Sequence, residues 1–153
     1  MMEDFIKEYI KEGLIKKETI GFDQVVKHIN RAQKDLKVAE ANLDIDAEAS
    51  YNYAYLSMLR ASRALMFSYG YRPADGQQHK TVVIFSKYIL TSDFSKLVRH
   101  FNRMRQKRNR FTYDEPGLLV SRTETEESFK SAKQFVRQIT EFIQRKNPRQ
   151  KLV

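Results

Sequence analysis

Apolar residues recur along this chain at steps of three and four and almost nowhere alternate, which is the period of helices rather than strands. Glu3 to Leu14 puts Phe5, Ile6, Tyr9, Ile10 and Leu14 on one side, giving a short amphipathic helix with Gly13 and Gly21 bracketing its end. From Asp23 to Leu43 the set Val25, Val26, Ile29, Ala32, Leu36, Ala39 and Leu43 forms a stripe with Lys and Glu opposite, the pattern of a bundle helix. Asp46 is placed to cap the next helix, and Glu48 in its first turn suits the positive end of the dipole. That helix runs to Tyr69 and is apolar on most sides (Tyr51, Tyr53, Tyr55, Leu56, Met58, Leu59, Leu65, Met66, Phe67), so it belongs at the centre.

Gly70 supplies a left-handed stop, and Tyr71-Arg72-Pro73-Ala74-Asp75-Gly76 reads as turn chemistry. Thr81-Val82-Val83-Ile84-Phe85 has the composition of a strand but no partner strand elsewhere. A lone strand buries nothing, so the reading is a helix from His79 to Leu90. A break near Thr91-Ser92 separates it from a helix over Asp93 to Phe111, and Tyr113-Asp114-Glu115-Pro116-Gly117 is the next break. Ser121-x-x-Glu124 is a capping box that opens the last helix, whose core face is Phe129, Ala132, Phe135, Val136, Ile139, Phe142 and Ile143; Pro148 ends it. The expected fold class is all-α, an up-and-down bundle of five or six helices. Residues 1–20 form an N-terminal helical extension, 22–147 the bundle and 148–153 a basic tail that frays.

A length of 153 residues suits one domain. Zero cysteines exclude disulfides, thiolate catalysis and sulfur-ligated metals, and suit a reducing compartment. The start Met1-Met2-Glu3-Asp4 is acidic and no apolar run approaches the ~20 residues that span a bilayer, so the expected location is cytoplasmic, away from membranes. His28, His79 and His100 are the only imidazoles, and no pair has the spacing that sets two ligands on one helix face. Asp44-x-Asp46-x-Glu48 lacks the glycine turn of a calcium loop, so helix capping is the stronger account. No metal and no cofactor are expected.

Charge changes the picture more. Lys and Arg total 28 against 19 Asp and Glu, a net +9, and the excess is concentrated. Between Phe94 and Tyr113 stand Lys96, Arg99, Arg103, Arg105, Lys107, Arg108 and Arg110 with no acidic residue among them. Leu97, Phe101, Met104 and Phe111 mark the buried seam of that helix, and Arg108 falls on it, seven residues after Phe101. Burying an unpartnered Arg costs several kcal/mol. Either a carboxylate meets Arg108 or the seam opens there into a solvated cleft that accepts an anion. The other cations, Arg99, Arg103, Arg105, Lys107 and Arg110, fit a solvated face or a phosphate-facing stripe. Tyr51, Tyr53 and Tyr55 have the chemistry to stack bases, yet on a central helix such rings are usually core or dimer contacts.

Three stretches carry a resemblance: Ile29-Asn30-Arg31-Ala32-Gln33-Lys34-Asp35-Leu36; Tyr51-Asn52-Tyr53-Ala54-Tyr55 through Arg63-Ala64-Leu65 to Gly70; and Arg108-Asn109-Arg110-Phe111-Thr112-Tyr113. Over roughly residues 22 to 145 the chain resembles the HEPN domain family. The resemblance implies a helical bundle that works as a homodimer and, in many members, beside a minimal nucleotidyltransferase as a toxin–antitoxin pair. The toxin members resemble metal-independent ribonucleases with the signature Arg, then Asn or another polar residue, then His five positions after the Arg, the two copies meeting across a dimer cleft. Arg108 and Asn109 match, and Tyr113 stands at the His position. Cleavage through the 2′-hydroxyl needs a group that accepts and returns protons near neutral pH, which imidazole does and phenol does poorly. Some toxins carry a second Tyr two residues past the His; Glu115 stands there, so modification by the partner at that place is not supported.

Two readings follow. In the first, a composite dimer cleft of Arg108, Asn109 and Tyr113 binds RNA or a nucleotide phosphate; as a ribonuclease, it would use Arg108 to stabilise the phosphorane charge. In the second, the bundle is a non-catalytic interaction module whose basic helix docks an acidic protein.

Overall fold

A computed structural model describes residues 2–74, 78–90 and 92–152 of the chain. Asp75 and Gly76 of the expected turn, Thr91 of the expected break, Met1 and Val153 lie outside the described residues. Six α-helices are found among the described residues: α1 (Met2–Lys11), α2 (Phe22–Ala41), α3 (Ala47–Ser68), α4 (Gln78–Ile89), α5 (Ser95–Asn109) and α6 (Arg122–Lys146). The all-α bundle expected from the apolar periodicity is the fold observed.

The α3 helix is the axis. It packs against α2, α4, α5 and α6, and its small residues Ser50, Ala54, Ser57, Ala61 and Ala64 are all buried, which lets the neighbouring backbones come close. Ser50 Oγ and Ser57 Oγ donate to the Ala39 and Ala54 carbonyls at 2.7 Å each, so these buried hydroxyls are satisfied. Around α3 lie Val25, Ile29 and Leu36 of α2, Phe101 and Met104 of α5 and Phe135, Ile139 and Ile143 of α6, all buried. Each such large side chain contributes about 1.5–3 kcal/mol. The caps are those the sequence announces. Ala49 N donates to Asp46 Oδ1 (3.2 Å) and Glu124 N to Ser121 Oγ (3.1 Å), but the Glu124 carboxylate does not close the capping box because it pairs with Lys107.

Three elements differ from expectation. First, Tyr71-Arg72-Pro73 is not only a turn. It forms a three-residue strand, β2 (Tyr71–Pro73), antiparallel to β1 (Ile15–Lys17) in the register Ile15↔Pro73, Lys16↔Arg72 and Lys17↔Tyr71. Gly13 and Gly70, at φ of 75° and 82°, turn the chain into each strand. The amphipathic α1 ends at Lys11 rather than Leu14. It packs Phe5 against Tyr88 of α4, with ring centroids 4.1 Å apart and stacked, so the N-terminal segment meets the rest of the fold through both Phe5 and β1.

Second, the helix expected over Asp93 to Phe111 is compound. A single 3₁₀ turn, Ser92–Phe94, leads into α5, and α5 passes into a widened turn, Arg110–Asp114, in which Glu115 N donates to Arg110 O (2.6 Å) five residues back. Third, Gln150 and Leu152 of the tail lie against the last helix. Gln144 Nε2 donates to Gln150 O (2.6 Å), Leu152 N donates to Gln144 Oε1 (3.1 Å), and Leu152 is 1% exposed against the bundle. Burial of the apolar side chain near the end offsets the ordering of residues that are otherwise polar. No helix among the described residues is long and apolar enough to cross a membrane.

Candidate functional site

Arg108 leaves α5 on the seam side, as its spacing from Phe101 requires, and reaches the first turns of α3. There its Nε donates to Asn52 Oδ1 (3.1 Å), while Nη1 donates to Asn109 Oδ1 (3.4 Å). Neither partner carries charge. Among the described residues no carboxylate pairs with Arg108. The two amides therefore orient the guanidinium without cancelling it. They use two of its five N–H groups, which leaves both Nη2 hydrogens and one on Nη1, the edge suited to a bidentate oxyanion.

Two phenol rings bracket the same cation. Arg108 Cζ lies 5.7 Å from the Tyr113 ring centroid and 5.9 Å from that of Tyr55, within the reach of a cation–π contact. Tyr113 stands inside the widened turn Arg110–Asp114, whose i→i+5 bond joins Glu115 to Arg110. Arg108, Asn109 and Tyr113 are brought together, as the motif suggests, with Tyr113 in a distortion that the residue pattern does not announce. Tyr113 is 71% exposed, whereas Tyr55 is fully buried.

Behind Tyr55 stands His79, at the start of α4. The phenol of Tyr55 is pushed up by burial, which outweighs the lowering by Arg108 and Arg105. His79 is pushed down to about 4, first by burial and then by Arg108, Arg63, Arg105 and Arg60. Tyr55 Oη and His79 Nδ1 lie 2.8 Å apart, so the buried phenol and the imidazole share a hydrogen bond. His79 and Asn52 were not marked by the sequence as site residues, since they lie 29 and 56 positions from Arg108. His100, which stands on α5 itself, faces the other way. Its Nδ1 lies 2.7 Å from Ser131 Oγ and its Nε2 3.3 Å from Ser128 Oγ, both on α6.

The remaining cations of α5 divide into two groups. Lys107 pairs with Glu124 (2.5 Å) and Arg110 with Glu115 (2.7 Å), so their charge is met within the chain. Arg99, Arg103 and Arg105 have no carboxylate partner among the described residues. All three line a groove of about 890 Å³ between α4 and α5. Tyr51 is core, edge-on to Phe111 at 5.8 Å, and Tyr53 is half-buried at the margin of the same cluster.

Fold and site define a class: a helical bundle whose basic helix ends in an arginine oriented by amides and left uncancelled. The chain belongs to the HEPN domain family, whose model matches residues 25–146. No curated protein matches it.

Proposed function

We propose that the chain binds RNA, with Arg108 as the anchor for a backbone phosphate and Tyr113 as an exposed ring that a neighbouring base or sugar covers. The observation that carries this reading is the company Arg108 keeps: neutral amides on one edge, aromatic faces beside it, and no carboxylate among the described residues. An arginine that serves stability alone is better placed in a pair, because a partner charge offsets its desolvation. Membership of the HEPN domain family, which is generally nucleotide- and RNA-related, supports the same reading.

We further propose that two copies meet at this end of the bundle, so that two Arg108 sites share one cleft. Supporting this, Ile45 and Leu119 are 80% and 87% exposed on the loops that precede α3 and α6, Arg122 pairs with Asp44 to join those loops, and Lys107 pairs with Glu124 to tie the start of α6 to the end of α5. Apolar side chains gathered at one end of a bundle are suited to a partner surface.

A filter-binding titration tests both parts. Wild type binds labelled RNA, more weakly as salt rises, with one RNA for two chains. Arg108→Ala binds about 10- to 150-fold more weakly, the worth of a hydrogen-bonded charge. Absence of RNA binding by wild type at low salt refutes the proposal and favours an acidic protein as the partner of the basic face.

A further inference from the structure

The groove between α4 and α5 is separate from the Arg108 pocket and has its own construction. Its walls are two helix faces. Lys80, Ile84 and Lys87 stand on α4 at i, i+4 and i+7; Arg99, Asn102, Arg103 and Gln106 stand on α5 at i, i+3, i+4 and i+7. The floor between them is apolar, formed by Val83, Ile84, Leu90 and Val98.

Among the described residues no carboxylate lines the groove. Lys80, Lys87, Arg99, Arg103 and Arg105 have no ion-pair partner among the described residues. Five like charges around one concavity repel one another and focus a positive field into it. A volume of about 890 Å³ is within the range of ligand sites.

The combination of a cationic rim and an apolar floor selects among polyanions. A small inorganic anion leaves the floor wet and gains nothing from it. Duplex RNA turns phosphates and sugars outward and keeps its bases inside, so it cannot cover the floor. A second copy of the chain docked symmetrically through this patch sets five cations against five. A single strand of RNA matches both parts, because charged phosphates and uncharged bases alternate along it.

Resting on the RNA reading above, we infer that the α4–α5 groove holds a single-stranded stretch of RNA, with phosphates on the Lys80, Lys87, Arg99 and Arg103 rims and bases on the apolar floor. Asn102 is preset to read a base edge. Arg105 Nε donates to its Oδ1 (3.1 Å), which fixes the amide and leaves its Nδ2 hydrogens to donate. No aromatic ring among the described residues lines the groove, so the floor holds the bases without stacking. Arg105 stands three residues before Arg108, about 4.5 Å along the helix axis, so a strand leaving the groove meets the Arg108 pocket next.

The test is anisotropy titration of the full chain with a labelled 12-nucleotide single strand and with the same strand annealed to its complement. Wild type should prefer the single strand by at least about tenfold, as expected when the stiff duplex presents about two fewer phosphates to the rims. The double variant Lys80→Glu, Lys87→Glu should lose about 10- to 50-fold for the single strand and flatten its log–log salt slope by about 1.4. Ile84→Gln should weaken the single strand and leave the duplex unchanged. Both lysines are exposed, and superimposable thermal melts confirm that folding is intact; if the double variant melts early, Lys80→Ala with Lys87→Ala takes its place.

Equal affinity for both RNAs, with groove variants like wild type while Arg108→Ala still loses affinity, overturns the groove and leaves the Arg108 reading standing. Failure of wild type to bind either RNA removes both. Displacement of the single strand by poly-glutamate at equal charge concentration assigns the groove to an acidic protein and overturns the inference as well.

Discussion

Arg60 and Arg108 each bring a guanidinium to the flank of α3, and they end in opposite company. Arg60, on α3, donates Nε to Asp35 Oδ2 (3.1 Å), and Asp35 is 1% exposed on α2, where Arg31 also approaches it (3.4 Å). The charge there is matched inside the fold and holds the α2–α3 seam. Arg108, on α5, finds only the amides of Asn52 and Asn109 and the faces of two tyrosines. One arginine serves the structure and the other keeps its field for something outside. The partner of an arginine at the edge of the core, more than its burial, separates a fold contact from a ligand contact.

Removing the carboxylate between α2 and α3 should have the greatest effect. Asp35→Ala leaves Arg60 and Arg31 facing a buried site with no counter-charge, and should cost about 3 kcal/mol in urea unfolding, the low end for a broken buried pair because Arg60 keeps some solvent contact. Arg108→Ala, measured in the same way, should cost about 1.5 kcal/mol, the low end for a hydrogen bond from a charged donor. Similar losses in the two variants would collapse the contrast between the two seams.

A second effect reads the Arg108 charge directly. Because Arg108 is the first charged group among the causes that hold His79 down, Arg108→Ala should raise the His79 midpoint in a proton NMR titration from about 4. It should stay below the ordinary 6.5, because burial is the larger cause and persists. His28 and His100, which are also lowered by burial but not by Arg108, should not move. A histidine lowered in the fold takes up its proton more readily when unfolded, so its contribution to stability is complete above pH 6.5 and is lost as pH falls toward about 4. Arg108→Ala should therefore lose less stability than wild type across that window. An unmoved His79 would mean that the Arg108 charge is already cancelled.

The bundle was legible in the residues because α2, α3 and α6 each carry a long stripe or an apolar surround, with Asp46 and Ser121 marking two of the starts. The strand pair was not, because Ile15-Lys16-Lys17 and Tyr71-Arg72-Pro73 are three residues each and their pairing spans more than fifty positions. Arg108 stood out by landing on a greasy seam, yet its partners did not. Asn52 and His79 are polar residues on other helices, and only packing brings them near. Lys80 and Lys87 are sparse charges on an apolar helix; they acquire meaning from the α5 face across the groove. The widened turn at Arg110–Asp114 left no mark in the apolar pattern, since Phe111 remains buried as a plain helix would also have it.

Tyr113 should give a weaker effect than either arginine seam, and it defines what the exposed side of the site is for. Its ring lies 5.7 Å from Arg108 Cζ and is 71% exposed, so the contact is a surface cation–π pair of about 0.5–1 kcal/mol. Tyr113→Ala should then weaken RNA binding about two- to fivefold, by loosening the guanidinium and removing the ring a base or sugar covers. Tyr113→Phe keeps the face and should bind as wild type does. The filter-binding titration separates the two. If Phe loses as much as Ala, the phenol hydroxyl itself meets the RNA, and Tyr113 contributes a hydrogen bond where the pattern of Arg108 and its bracketing rings calls only for a π surface.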